Sequence, residues 1–193
     1  LRALKGTLAH ELAHSRLAGM GLPTGLEEGL VTHLEQAVEP SDFFAADLTV
    51  AAFDESLGTC FRHHLDPQYK ANRDETPEDL KPQFDIIKRA TEAFDIPAIE
   101  LEGYEADDLI AAYAKLARAE GKKVVIVSSD KDLMQLVGDG VRMLDPMKSK
   151  WIGEEQVIEK FGVPPNRVVD VQSLAGDSTD NVPGVPGIGI KTA

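Results

Sequence analysis

The chain of 193 residues carries 33 acidic against 20 basic residues, a formal net charge of −13, with 42% hydrophobic residues and one cysteine. That length fits one compact domain with a real core, the lone cysteine excludes an intrachain disulfide and fits a reducing compartment, and no apolar run approaches the roughly 18 residues of a membrane span. The acidity argues against gripping nucleic acid by bulk charge, because phosphate binding ordinarily uses an excess of Lys and Arg.

Leu1 to Gly6 lacks the basic region and long apolar stretch of a secretory signal. Residues 7–19 and 25–38 read as two short helices separated by Gly21-Leu22-Pro23. A β-like run from Ala46 to Phe53 ends at Asp54, and a polar, basic stretch follows over 59–64 and 69–73. Pro77 with Glu78 and Asp79 reads as a helix start, since Pro suits the first turn and acids suit the positive end of the dipole; that helix is expected to reach about Phe94. Ile96 to Leu101 reads as a short strand and Tyr104 to Glu120 as an amphipathic helix, with Leu109, Ala112, Leu116 and Ala117 at helical spacing. Val124–Val127 is an apolar run of the buried, parallel-sheet kind. Asp130–Leu136 reads as helix, Val141–Leu144 as strand, Gly153–Phe161 and Pro165–Leu174 as helices, and a loop rich in Gly, Pro and Asp leads to Gly187-Ile188-Gly189-Ile190-Lys191. Strands alternating with helices predict an α/β fold with a mostly parallel central sheet flanked by helices.

The acids are not scattered. Asp54 ends the first strand, Glu105, Asp107 and Asp108 open a helix after the second, Asp130 and Asp132 follow the third, and Asp177 and Asp180 lie in the late loop. Ligands of open α/β sheets bind outside the carboxyl ends of the strands, so this fold gathers three of these groups at one edge. Singly, each has a plainer explanation as a helix N-terminus, an N-cap or a turn residue. Gathered, so many carboxylates are tolerable only if cations neutralise them or some stay protonated. All-oxygen donors favour Mg²⁺ or Mn²⁺ over zinc, and two such ions about 4 Å apart suit in-line phosphodiester cleavage.

At this point the motifs A-F-D-E-S (52–56), Y-K-A-N-R (69–73), G-Y-E-A-D-D-L-I (103–110), S-S-D-K-D-L-M-Q-L (128–136), L-A-G-D-S-T-D-N-V-P-G-V (174–185) and P-G-I-G-I-K-T-A (186–193) resemble, in order and spacing, the 5′-nuclease domain of bacterial DNA polymerase I and its free-standing exonuclease relatives. The resemblance covers about residues 48–193 and implies a 5′-nuclease or PIN-like α/β domain over 46–193. It implies a divalent-metal-dependent 5′-3′ exonuclease and flap endonuclease that hydrolyses DNA at 5′ ends, flaps and nicked duplex in replication and repair. Asp54, Glu105, Asp107 and Asp108 would serve one metal site and Asp130, Asp132, Asp177 and Asp180 a second; Asp54, Asp107 and Asp130 would be central to catalysis. Lys70 and Arg73 would steady the scissile phosphate, an ammonium as a point charge and a guanidinium in two-pronged fashion. Gly187, Gly189 and Lys191 look like the first half of a helix-hairpin DNA-binding motif, whose second half is expected to be missing because the chain stops at Ala193. A cytoplasmic, nucleoid-associated location, no membrane partner and a polymerase domain in a longer protein are further implications.

Family members begin with a strand ending in V-D-G, which residues 1–45 do not contain; they read as an atypical helical segment. His10-Glu11-Leu12-Ala13-His14 followed by Glu28-Gly29 is instead similar to a gluzincin-type zinc peptidase. His10 and His14, one helical turn apart, could share a zinc with Glu28, with Glu11 as general base. Two alternatives therefore stand beside the nuclease: a zinc metallopeptidase fragment, and a DNA-binding remnant without catalysis.

Overall fold

The computed structural model describes residues 48–55 and 60–193. The helices expected over 7–19 and 25–38, and with them His10, Glu11, His14 and Glu28, lie outside the described residues. The described residues divide into two compact units, one of 48–53, 76–99 and 146–149, the other of 54–55, 60–75, 100–145 and 150–193.

In the first unit, β1 (Ala51–Ala52) and β2 (Ala98–Ile99) pair in parallel, Ala51 opposite Ala98. The ladder continues through Ala51 N–H to the Pro97 carbonyl at 3.0 Å and Phe53 N–H to the Ile99 carbonyl at 2.8 Å. Both strands are shorter than the apolar runs around them. Helix α2 (Lys81–Ala93) starts four residues later than Pro77 suggests. The reason is Pro82, which has no N–H to donate and is tolerated only in a first turn. Residues 77–80 close a turn instead, with Leu80 N–H on the Pro77 carbonyl at 3.0 Å.

The second unit contains α1 (Phe61–Leu65), α3 (Ala106–Ala119), β3 (Val124–Val127), a 3₁₀ turn at Asp132–Leu136, β4 (Val141–Asp145), β5 (Lys150–Ile152), α4 (Glu154–Phe161) and α5 (Val168–Ala175). β3 and β4 are parallel with Val124 opposite Val141, and β5 adds antiparallel to β4 with Met143 opposite Ile152. β5 has only three residues, too few to register as a sequence period. Met143, Val157 and Val168 are fully buried and, with Ile126, Leu133, Phe161 and Val171, form the core between sheet and helices. Val125 and Val127 are about half exposed, so β3 is buried on one face rather than two. Asp130–Leu136 forms a 3₁₀ turn from Asp132, not an α-helix. Among the described residues no helix is long and apolar enough to cross a membrane.

Candidate active site

Three segments of the second unit meet at the N-terminus of α3. Glu105 is its N-cap and Asp107 and Asp108 fill its first turn, where the helix dipole favours negative charge. Asp54 joins them through its Oδ1, which accepts the Ala106 N–H at 2.6 Å. From the segment over 60–75, Arg62 donates to both Asp108 oxygens at 2.8 and 2.7 Å and lies 3.2 Å from Glu105. The Tyr69 hydroxyl donates to Glu105 at 2.9 Å and lies 3.2 Å from Asp180. A phenol has one proton, so the shorter contact is the stronger bond. The Lys70 ammonium pairs with Glu105 and stands 3.9 Å from Asp180, whose other oxygen accepts from Arg73 at 2.7 Å.

The backbone locks these segments together. Lys70 N–H donates to the Asp180 carbonyl at 2.8 Å, Asn72 to the Ser178 carbonyl at 2.8 Å, and Asn181 to the Gln68 carbonyl at 2.6 Å. Lys70 and Asn181 both adopt left-handed backbone, φ 56° each, a conformation that costs about 1 kcal/mol or more for a residue with a Cβ and persists only when its surroundings hold it.

Asp130 and Asp132 follow β3. Ser128 N–H extends the parallel ladder to the Leu144 carbonyl, Asp130 N–H bonds the Ser128 hydroxyl at 3.0 Å, and Asp132 N–H bonds Asp130 Oδ1 at 2.8 Å. Asp130 thus closes a turn as well as facing the site. Gln172 of α5 donates to Asp132 at 2.5 Å, and Lys131 pairs with buried Asp177 at 2.6 Å. An open pocket of about 470 Å³ here is lined by Ser128, Ser129, Asp130, Lys131, Lys160 and Thr179.

The late loop is shaped by two glycines. A Cβ on Gly176 would collide with the Gly184 backbone nitrogen, and one on Gly184 with the Ala175 carbonyl group. This backbone-to-backbone contact, with Asp177 N–H on the Val182 carbonyl at 2.9 Å and the reverse bond at 2.8 Å, closes the turn that presents Asp177 and Asp180.

Charge sorts the acids into two groups. Arg62 holds Asp108 below the usual carboxylate range and is itself raised by that bond. Burial opposes the charge of Asp177, but Lys131 and the Thr179 amide more than offset it and its pKa falls. Burial raises Tyr69, with its bond to Glu105 adding to the effect. Asp54, Asp107, Asp130 and Asp132, by contrast, have no Lys or Arg ion pair among the described residues. Burial, then Asp130, push Asp107 up to about 6, with Lys70 pulling it down and Asp54 and Glu105 adding to the rise. Burial also raises Asp132, against the Gln172 bond.

Such a set of uncompensated oxygens fits a hard divalent cation in its chemistry. Among the described residues, no three of these side chains converge on one point, so sharing an ion requires them to turn. Arg62, Tyr69, Lys131 and Gln172 carry the supporting network, yet sequence reading assigned them no role. Tyr69 and Lys131 lie within the quoted motifs and Arg62 and Gln172 outside them, and a hydrogen bond from Gln172 to Asp132, 40 positions apart, has no local signal. Gly187, Gly189 and Lys191 stay apart from this network in a turn where Thr192 N–H bonds the Gly189 carbonyl at 2.8 Å. Gly187 has φ 84°.

Comparison with known proteins gives a consistent picture. The model for the 5′-3′ exonuclease N-terminal resolvase-like domain matches residues 7–162, and that for the 5′-3′ exonuclease C-terminal SAM fold matches 163–193. DNA polymerase I of Rhizobium leguminosarum is 52% identical over 177 residues, 90% of this chain and 17% of that protein. The 5′-3′ exonuclease of Aquifex aeolicus is 40% identical over 173 residues, 90% of this chain and 58% of that one. The chain therefore spans less than two thirds of either relative. Among solved structures, the 5′-exonuclease of phage T5 with bound divalent metal ions (zinc) superposes with a TM-score of 0.70 at 26% identity, over 83% of this chain and 63% of that one. A phage T5 flap endonuclease in a pseudo-enzyme–product complex with DNA and metal ions gives 0.64 at 25% identity, over 78% and 59%.

Proposed function

Since the chain belongs to the 5′-3′ exonuclease family and has its PIN-like α/β fold, we propose that it hydrolyses DNA phosphodiester bonds at 5′ ends and flaps, as a divalent-metal-dependent nuclease of replication and repair. The observation that carries this reading is the group Asp54, Asp107, Asp130 and Asp132, carboxylates without basic partners, with Asp107 raised to about 6. In this reading Asp54, Glu105, Asp107 and Asp108 serve one Mg²⁺ or Mn²⁺ and Asp130, Asp132, Asp177 and Asp180 a second. The chemistry such ions would supply there is activation of a water and neutralisation of charge on the phosphate and leaving oxygen.

The chain's own side chains do the rest. Lys70 and Arg73, resting on Glu105 and Asp180, exchange those carboxylates for the oxygens of the scissile phosphate. Tyr69 keeps Glu105 and Asp180 at a fixed separation while this exchange occurs. Arg62 keeps Asp108 ionised and holds both its oxygens, so Asp108 would serve its ion through water. Gly187, Gly189 and Lys191 contact duplex phosphates, the glycines by close backbone approach and the lysine by charge. The same reading puts the protein in the bacterial cytoplasm at the nucleoid, with 46–193 as the nuclease domain, 1–45 as an atypical N-terminal segment that the exonuclease model matches from residue 7, and a polymerase domain in a longer chain, as the name of the Rhizobium relative suggests. The zinc-peptidase residues His10, His14 and Glu28 fall inside the stretch that the exonuclease model matches.

A 5′-flap duplex incubated with the 193-residue chain tests the proposal under single-turnover conditions, with Mg²⁺, with Zn²⁺ alone and with chelator. Cutting with Mg²⁺, none with chelator, and a loss of about two orders of magnitude or more in Asp107→Asn and Asp130→Asn are expected. Equal cutting by parent and Asp130→Asn would overturn the assignment.

A further inference from the structure

Beside the acidic site two aromatic rings stand exposed on its rim. Phe61 and Tyr104 are 39% and 48% exposed, with ring centroids 5.6 Å apart and planes inclined at 52°. At that inclination the rings do not cover each other face to face. Leu65, one turn along α1 from Phe61, is 80% exposed. The patch is fixed rather than loose. Phe61 N–H donates to the Gly103 carbonyl at 2.8 Å, and the Arg62 guanidinium lies 4.6 Å over the Phe61 ring.

Each ring is one residue from the charge network. Phe61 precedes Arg62, which grips Asp108 in bidentate fashion, and Tyr104 precedes the N-cap Glu105. The polar groups at this spot are already engaged: both terminal nitrogens of Arg62 face carboxylates. Arg62 beside the rings is already paired with carboxylates and itself covers one face of Phe61, so what a flat, uncharged π-face meets here is the exposed part of Tyr104 and the uncovered part of Phe61. The chemistry that fits is a nucleobase whose own phosphate lies inward at the acids. Inside a duplex both faces of a base are covered by its neighbours, so a free face belongs to an unpaired base or to the last pair at a junction, and an unpaired base is the one whose backbone can turn its own phosphate inward to the acids at the same time.

Resting on the nuclease reading, we propose that Phe61 and Tyr104 form an aromatic platform for an unpaired base of the DNA strand next to the scissile phosphate, stacked on one ring and edge-on to the other, since a flat base cannot lie parallel to two planes inclined at 52°. The platform sets which phosphate enters the site and favours frayed or single-stranded 5′ nucleotides over closed duplex. It is indifferent to base identity, because every base has a π-face.

A series of 5′-flap DNAs, each lacking one base (a tetrahydrofuran residue) at successive positions around the junction, tests this by binding in Ca²⁺ and by single-turnover cutting in Mg²⁺. With the parent chain, one or two positions are expected to lose affinity by roughly 5- to 150-fold on base removal, the range for a stacked base. Tyr104→Ala and Phe61→Ala should weaken binding of the intact flap to the same extent and be insensitive to base removal at those positions. Tyr104→Phe should restore the parental pattern, which a role for the hydroxyl would not allow. If the alanine variants keep the parental base-removal profile, or weaken every substrate alike as a lost protein contact or lost fold would, the platform is wrong although the nuclease assignment stands. If the parent neither binds nor cuts any flap, the nuclease reading fails and the platform falls with it.

Discussion

At the scale of single residues, the acids of this site do two different jobs. Asp108 and Asp177 are neutralised within the protein by Arg62 and Lys131, whereas Asp107 is left to burial and to the field of Asp130. The consequence for pH has a definite sign. An aspartate raised to about 6, against about 3.9 when unfolded, binds more protons folded than unfolded between those values, so its ionisation lowers stability as pH rises through that window. Asp132 acts in the same sense. The depressed pair, Asp108 and Asp177, stabilises the fold above the unfolded pKa and loses that contribution only as pH falls through their lower folded values, so it is unchanged between pH 5 and 7. Without divalent ions, the chain is therefore expected to melt at a higher temperature at pH 5 than at pH 7 as far as this site is concerned, and Asp107→Asn should flatten that difference. Mn²⁺ should raise the melting temperature more at pH 7.5 than at pH 5, because a proton on Asp107 competes with the ion. Thermal melts at both pH values, with and without Mn²⁺, check both statements. Equal Mn²⁺ shifts at the two pH values would remove Asp107 from the metal site.

At the scale of elements, short segments hold the site, and tight backbone contacts govern them. The loop from Gly176 to Gly184 carries Asp177 and Asp180 because the two glycines let the chain double back on itself without a Cβ between the strands of the turn. Gly176 also needs its φ of 75°, which favours glycine. Gly184→Ala is expected to destabilise the chain by about 1–3 kcal/mol and to lower cutting further than that loss explains, since Asp180 and with it Lys70 and Arg73 move. Urea midpoints and single-turnover rates on Gly184→Ala and the parent chain separate the effects. A Gly184→Ala chain as stable and as fast as the parent would mean that the turn does not set the position of Asp180.

At the scale of the molecule, a net charge of −13 must be reconciled with the polyanionic substrate proposed above. Lys70, Arg73, Arg62 and Lys131 are all committed to carboxylates of the site, so little positive charge remains there to draw phosphate in. DNA affinity should therefore rise on adding millimolar Ca²⁺, which neutralises the acids and releases Lys70 and Arg73. NaCl at matched ionic strength should only weaken binding by screening and counterion competition. Anisotropy titrations of a labelled flap in the two salts distinguish the cases. Equal weakening by both would mean that the acidic site does not face the bound DNA.

The residue kinds and their order were readable from the chain alone. Periodicity located α3 and β3 to within two residues, because each obeys a local rule, a 3.6-residue stripe in one and an apolar run of four in the other. The motifs contain all eight acids proposed for the site, from Asp54 to Asp180. What sequence could not decide were features that arise from pairing or from backbone contact at a distance. The three-residue β5 exists only because β4 lies beside it, and Pro82 overrides the helix start that Pro77 announces. Above all, which acids remain without a basic partner depends on where Arg62, Lys70, Arg73 and Lys131 come to rest. Burial and Coulomb interaction depend on distances through space, and only the folded chain brings residue 62 beside 108 and residue 131 beside 177. Membership of the family was therefore legible in residue types along the chain, whereas the division of the acids into paired and unpaired groups was decided by tertiary structure.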